Sequence, residues 1–362
     1  MPTKEDLKYF QAMPLDIKIS MSNRRLLEWI SYYGTDGVYV SFSGGKDSTV
    51  LADLYARICH QFGGKMFLVF VNTGLEYPEI QKFIKWYAEW LRKTYNIEVE
   101  LVILHPEMRF DEVIKKYGYP IISKEISECV DQGRKALERN DGAYNYRLLK
   151  LQGKATDKNG HLSLFNRQKY EPLLHTDFVA SSMCCAVMKK KPAKKYAKET
   201  DKKPITAQMA EESQLRTQHW LKNGCNGFDM KSPISNPMSF WTEQDVLQYI
   251  KQYNIPIASV YGDVVYAEQP NQLRLEGCEE GEKLKTTGCD RTGCIFCAFG
   301  CHLEKEPSRF QRLKETHPRQ YEYCIGGGEY VDGIWQPNKQ GLGMGHVFDE
   351  LNKIYGEGFI KY

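Results

Sequence analysis

The stretch "GVYVSFSGGKDSTVLADLYARICHQF" (residues 37–62) changes its period halfway, and that change decides the fold. Residues 37–43 form a β-branched and aromatic run suited to a buried strand. Gly44 and Gly45 interrupt it, and from Asp47 onward apolar residues recur at helical spacing. Glycines between a strand and a helix let the backbone turn tightly and aim its N–H groups inward, where the helix N-terminus adds partial positive charge. Lys46 neutralises a phosphate placed there, and the Ser43 and Ser48 hydroxyls donate to its oxygens. The spacing is not that of the Walker loop, which needs four residues between its glycines and a Gly-Lys-Ser/Thr end. A glycine turn that merely caps a helix is the plainer alternative, and the strand before and helix after favour the cradle.

The same alternation continues outward. Residues 65–72 and 97–104 read as further strands and 77–95 as a helix, with another helix at 22–33 before the first strand. Strands alternating with helices imply a parallel sheet covered on both faces. "KPITAQM" (203–209) reads as a short returning strand, and 242–253 as a helix capped by Thr242 with Asp245 at its third position. Within that helix region Trp241 and Tyr249 read as core residues. Residues 111–175 are polar and mostly helical, without a clear place in the sheet. Beyond residue 302 Gly, Pro and Tyr are frequent, which suggests a compact, loop-rich cap. The expected organisation is a helical segment over 1–34, an α/β domain over 35–256 with a helical insertion at about 111–175, and a cysteine-rich region over 257–362.

With 362 residues, a main domain with a large appendage or two domains is expected. The hydrophobic content of 42% and charged content of 26% are ordinary for a globular protein, and a net charge of +3 selects no partner class. The N-terminus lacks a secretory core, and no apolar run approaches the ~18 residues of a membrane span, so a cytoplasmic protein with no membrane partner is expected. In that compartment eleven cysteines are expected to be free, catalytic or metal-bound rather than paired.

Four of them crowd into "TTGCDRTGCIFCAFGCH" (286–302): Cys289, Cys294, Cys297 and Cys301. By themselves they could form a structural Zn2+ site, although only one Cys-x-x-Cys knuckle is present. A second group lies upstream, where Cys184 and Cys185 adjoin. Neighbouring cysteines pair poorly with each other, but both can turn toward one site where the backbone kinks. Cys59, Cys129, Cys225, Cys278 and Cys324 are most simply free thiols, with Cys59 buried on a helix. The lysine run "KKKPAKKYAK" (189–198) reads as a solvated face, a wall of an anion site or a nucleic-acid surface.

Ser43-Gly44-Gly45-Lys46-Asp47-Ser48 resembles the PP-loop of the ATP-pyrophosphatase (adenine nucleotide alpha hydrolase) superfamily. "VNTGLEYPE" (71–79) resembles that superfamily's second-strand motif as found in its phosphoadenylylsulfate (PAPS) reductase branch, with Asn72 where Asp is common. Cys184-Cys185, the basic stretch Lys189 to Pro192, the strand at 203–209, then Glu212, Ser213 and Arg216 resemble the iron–sulfur form of that branch. "NPMSFWTEQDVLQYIKQYNIP" (236–256) is similar to its Trp-Thr-x-x-Asp-Val helix. The resemblance covers about residues 35–80 and 180–300. It implies a Rossmann-like parallel sheet with helices on both faces, joined to a cysteine-rich, loop-rich C-terminal part. It further implies an adenine nucleotide site of Ser41, Ser43, Gly44, Gly45, Lys46, Asp47, Ser48, Asn72, Thr73, Gly74, Glu212 and Arg216, with Lys46, Asp47 and Ser48 catalytic. A 4Fe–4S cluster on Cys184, Cys185, Cys294 and Cys297 is implied too, with Cys289 and Cys301 as substitutes or neighbours.

Two departures modify the implied activity. Reductases of this family end in a tail carrying a catalytic Cys in a Glu-Cys-Gly-Leu-His context, whereas here no Cys follows Cys324. Their Gly-x-Arg before Glu-Ser is replaced by Ala207 and Met209, and a thioether carries no charge to clamp a phosphosulfate. The expectation is therefore an ATP-dependent sulfur transferase using ATP, Mg2+, a sulfur donor and an acceptor that is either tRNA/DNA or a small molecule. The alternatives are a sulfite-forming adenylylsulfate or PAPS reductase with Cys324 or Cys301 as substitute nucleophile, and a nucleotide-binding subunit with a structural zinc. A homodimer is among the expected assemblies. "YGYPIISKE" (117–125), with Lys124, reads first as an ordinary loop, with a pocket rim as the alternative.

Overall fold

The computed structural model describes residues 2–141, 145–267 and 283–362, so that Cys278 lies outside the described residues. The chain divides into two compact units, Met1–Asn72 with Glu76–His105 and Ala193–Thr292, and Thr73–Leu75 with Pro106–Pro192 and Gly293–Tyr362.

In the first unit the strands Val38–Ser41, Lys65–Val71 and Glu98–Leu104 form one side of a six-stranded sheet. On the other side of Val38–Ser41 lie Lys203–Ile205, then Ile234–Ser235, then Asn226–Gly227 at the edge. All neighbours run parallel except the last pair. The returning strand is shorter than its apolar run, because after Thr206 donates to the Ser235 carbonyl the chain turns to bond Ser239 through Ala210. Alternation sends Tyr39, Phe67 and Val69 to one face, where Tyr196 and Ala197 of the helix Lys191–Thr200 cover them. Val40, Leu68 and Phe70 point the other way, toward the helices Lys46–Phe62 and Pro78–Tyr95. This is a mostly parallel sheet flanked by helices, the arrangement that the resemblance implies. Successive strands move outward in one direction as far as Glu98–Leu104 and then in the other, which makes the end of Val38–Ser41 a topological switch point, where open α/β sheets bind ligands.

The N-terminal helices belong to this unit for a visible reason. Lys18 in the helix Leu15–Tyr33 forms a buried ion pair of 2.6 Å with Asp245, and Ser22 accepts from the Trp241 indole at 2.8 Å. Trp241 and Tyr249 are buried, and the 243–253 helix has the expected Thr242–Asp245 capping box.

The second unit joins most of the polar middle segment to the C-terminal part, a grouping that the sequence-based division does not give. A parallel pairing of Ile121–Ile122 with Ala298–Phe299 and a hydrogen bond from the Tyr119 hydroxyl to the Leu342 carbonyl tie the two together. The cap beyond residue 302 is more helical than its composition suggests, with helices at Arg309–Thr316, Pro318–Ile325 and Met344–Tyr355. Ser308 and Gln311 form a capping box, Pro318 opens the next helix, and Met344, Val347, Phe348 and Leu351 bury a helical stripe. Among the described residues no helix is long and apolar enough to cross a membrane.

Candidate functional site

The loop after Val38–Ser41 holds itself in shape. Gly44 has φ +72°, and a Cβ there would stand 2.9 Å from Ile80 Cγ2, so both the conformation and the space demand glycine. The Ser43 N–H donates to Ser48 Oγ at 3.2 Å, and the Gly45 N–H donates to Ser43 Oγ at 3.3 Å. Ser48 Oγ in turn donates to the Gly45 carbonyl at 3.0 Å. The two serines are thus part of the scaffold as well as candidate donors. Gly45 caps the helix Lys46–Phe62, whose first-turn amides face the loop.

Charge gathers around this helix start. Lys46 is 4% exposed, and its ammonium lies 3.1 Å from Glu243 Oε1. The Glu243 N–H donates to Glu211 Oε1 at 2.6 Å. Burial pushes the Asp47 carboxyl above its ordinary value, opposed by the positive charges of Lys46, Arg291 and Arg216 and assisted by Glu243. Burial likewise raises Glu211. Glu212 accepts both the Met209 N–H, at 3.1 Å, and an ion pair from Arg216. Met209 is itself buried, part of the core rather than of a binding surface.

The expected nucleotide residues divide as follows. Ser41, Ser43, Gly44, Gly45, Lys46, Asp47, Ser48, Asn72, Glu212 and Arg216 lie in the first unit, while Thr73 and Gly74 group with the second. Glu211, Glu243, Tyr261, Arg291 and Thr292 join the cradle without a motif to announce them. The Tyr261 hydroxyl bonds Thr292 Oγ1 at 2.5 Å, and Lys46 lies 5.4 Å from the Tyr261 ring centroid.

The second unit contains a small cavity, partly open to solvent, lined by Leu75, Phe110, Pro120, Cys184, Cys185, Met188, Lys189, Cys294 and Cys297. Four of the six cysteines singled out above therefore line one cavity. Met183–Cys185 starts a helix that passes at once into a π-helical turn, Ala186–Lys190, and this widened backbone lets two adjacent thiols face one space. The Ile295 N–H donates to the Leu75 carbonyl at 2.8 Å, and the Cys297 N–H donates to Cys294 at 3.0 Å, which fixes the Cys-x-x-Cys turn at the opposite side. Cys184 donates to Cys185, drawing the Cys185 thiol below the ordinary range, and Lys124 and Lys189 favour the same thiolate. The shared proton with Cys185, and then burial, push Cys184 up. Lys124 reaches this pocket because Ile122, buried and with φ +58°, bends the chain directly after its pairing with Phe299.

Cys301 is turned away, with its thiol donating to the Ala298 carbonyl at 3.0 Å and raised to about 12 by burial. Cys289 belongs to the first unit and is partly exposed. Among the described residues no group of three or more His, Cys, Asp or Glu is gathered tightly enough for a single metal ion. Cys59, Cys129, Cys225 and Cys324 are buried, and burial raises the pKa of each.

Comparison with known proteins bears on this arrangement. No curated protein matches the chain. Among solved structures, the phosphoadenylyl-sulfate (PAPS) reductase from Candida auris, determined as a phosphate complex, is 13% identical and covers 72% of this chain and 91% of its own. Its TM-score of 0.35 is too low for that likeness to carry an argument. The phosphoadenosine phosphosulfate reductase domain, in contrast, matches residues 37–135 and 139–299, more than half of the sequence and both cysteine pairs. On that match, with the glycine-lysine cradle at the switch point of its sheet, the chain belongs to the phosphoadenosine phosphosulfate reductase family.

Proposed function

We propose that the protein is an ATP-dependent sulfur transferase: the cradle directs ATP to adenylate an acceptor, and sulfur then replaces the adenylate. The observation that carries this reading is the state of the thiols. A sulfite-forming reductase needs a reachable, ionisable cysteine outside any cluster. Among the described residues Cys59, Cys129, Cys225, Cys301 and Cys324 are all buried, and Cys289 is the partly exposed thiol that remains outside the cavity. Met209 adds support, being an uncharged core residue where the family resemblance places an arginine.

In the proposed reaction an acceptor oxygen attacks the α-phosphorus of ATP. The new O–P bond forms as the α–β bridging bond breaks, and pyrophosphate leaves with the electron pair. Lys46, the loop amides and the start of its helix stabilise that developing charge, with Mg2+ as the expected counter-ion. Lys46 must exchange Glu243 for phosphate, so that its charge is kept compensated before and after binding. Hydrosulfide then forms a bond to the activated atom of the acceptor, and AMP departs with the acceptor oxygen. Cys184, Cys185, Cys294 and Cys297 are the residues that would hold a 4Fe–4S cluster. Held by all four thiolates, such a cluster would act electrostatically as a charged centre, whereas one held by three of them would leave an iron open for sulfide. Lys124 and Lys189 offset negative charge at that wall. The acceptor is tRNA/DNA or a small molecule. The test is ATP–pyrophosphate exchange with bulk RNA, DNA and a metabolite fraction supplied in turn. Exchange dependent on one fraction and abolished by Lys46→Ala supports the reading, and its absence with all three removes it.

The family's named activity, reduction of phosphoadenosine phosphosulfate, is the second reading, and partly exposed Cys289 is the residue that favours it. Sulfite released from PAPS by wild type but not by Cys289→Ser would establish it.

A further inference from the structure

Opposite the glycines of the cradle stands a side chain that the PP-loop itself does not explain. Tyr261 ends the turn Ser259–Tyr261 and is 2% exposed. Its hydroxyl meets Thr292 Oγ1 at 2.5 Å, and the backbone N–H groups of Lys46 and Thr292 are directed at the same oxygen. A Cβ on Gly45 would stand 3.4 Å from that phenol oxygen, 3.9 Å from Thr292 Oγ1 and 3.2 Å from Ser43 Oγ. Gly45 has an ordinary φ of −75°, so its backbone angle alone does not require glycine. What a side chain there would fill is the gap between the loop and the two hydroxyls.

The position of Tyr261 is fixed by backbone pairing. The Gly288 N–H donates to the Tyr261 carbonyl at 2.8 Å, and the Cys289 N–H donates to the Val260 carbonyl at 3.0 Å. These bonds hold the 288–292 segment along the turn. Burial pushes the phenol up to about 12, so at neutral pH it keeps its proton and acts as a donor. A neutral oxygen therefore sits where helix-start amides converge, a place that favours an anion.

We propose that Tyr261 and Thr292 are phosphate-binding residues that complete the cradle from the far side, donating their hydroxyl protons to the diphosphate portion of a bound nucleotide. This rests on the reading of the cradle as a nucleotide site. On binding, the Lys46 amide exchanges the phenol oxygen for a phosphate oxygen, and the phenol O–H turns from Thr292 Oγ1 to the same group. The preferred ligand class is an adenine nucleotide with at least two adjoining phosphates. Inorganic pyrophosphate is the minimal probe.

The experiment is calorimetry on the full chain with inorganic pyrophosphate, ATP and adenosine. Tyr261→Phe is expected to weaken pyrophosphate and ATP about tenfold, as loss of one hydrogen bond to a charged group implies, while adenosine binding stays unchanged. Thr292→Val is expected to show the same pattern to a smaller degree, with Thr292→Ser restoring wild-type affinity. Thr292→Val and Thr292→Ser decide the matter if Tyr261→Phe does not fold. Pyrophosphate affinity equal to or tighter than wild type in Tyr261→Phe, or a parallel loss of adenosine, overturns the proposal. If Lys46→Ala loses pyrophosphate while Tyr261→Phe and Thr292→Val do not, the nucleotide reading survives and this one fails. If wild type binds neither pyrophosphate nor ATP, both fall.

Discussion

The phosphate cradle and the thiol cavity are built in opposite ways. The cradle is mainly backbone: consecutive residues, a glycine at φ +72° and serine hydroxyls that bond the loop to itself. The cavity is mainly side chains, brought together by a π-helical turn at one end and a two-residue parallel pairing at the other. A backbone-made site is specified locally and loses function one residue at a time. A side-chain-made site depends on the packing of segments far apart in sequence, and removing one member leaves the others without a shared ligand.

The largest expected effect tests that contrast. Anaerobically purified protein should be brown, absorb broadly near ~400 nm and contain iron and acid-labile sulfide, as thiolate-held clusters do. Cys184→Ser or Cys297→Ser should bleach it, whereas Cys301→Ser, whose thiol faces a carbonyl, should keep its colour. A colourless protein with stoichiometric zinc, indifferent to Cys184 and Cys185, would contradict the assignment of the cavity.

Lys46→Ala comes next. Loss of a buried counter-charge should cost about 2–4 kcal/mol of ATP affinity by calorimetry, while the iron content stays at the wild-type level. Equal ATP affinity in the two proteins removes Lys46 from the site. If iron is lost together with affinity, the two regions are not independent and the comparison fails.

Glycine replacements sharpen the claim that the cradle is a backbone device. Gly44→Ala meets Ile80 and an unfavourable φ, so denaturant titration should show a loss of about 2–3 kcal/mol. Gly300→Ala, at φ +77° and ψ −2° with open space around it, should cost only about 1.5 kcal/mol. Equal losses would show that backbone angle alone sets the requirement. Ser48→Ala, which removes a donor to the Gly45 carbonyl, should have the smallest effect, about 1 kcal/mol in the same titration.

The same contrast explains what could be read from the sequence. The strands up to residue 104 are β-branched and aromatic runs, the third alternating with Glu98 and Glu100 at its start, and the cradle is a contiguous motif, so both were legible. The cap beyond residue 302 was less so. Its glycines suggest loops, while the Ser308 capping box and the Met344 to Leu351 stripe make helices between them. Nothing in the local sequence signals that Ile122 adopts φ +58°, since a β-branched residue disfavours it, and so the approach of Lys124 to Cys185 follows only from tertiary structure. Tyr261 and Thr292 were equally silent. They reach the cradle through backbone pairing of the 288–292 segment, not through a spaced motif. The resemblance implied a grouping of Cys184 and Cys185 with Cys294 and Cys297, and the four line one cavity here, with a π-helical turn directly after the first pair.

The central claim is that the cradle serves cleavage of ATP at the α-phosphorus rather than reduction of a sulfonucleotide. The direct test runs both reactions side by side on anaerobic protein with its full iron content. One arm contains ATP, Mg2+, sulfide and the RNA, DNA or metabolite fraction, and measures AMP and pyrophosphate. The other contains adenylylsulfate or PAPS with thioredoxin or glutathione, and measures sulfite. The account predicts AMP and pyrophosphate in equal amounts in the first arm, lost in Lys46→Ala, with little or no sulfite in the second. Efficient sulfite production that vanishes in Cys289→Ser, with no AMP formed from ATP, would contradict it.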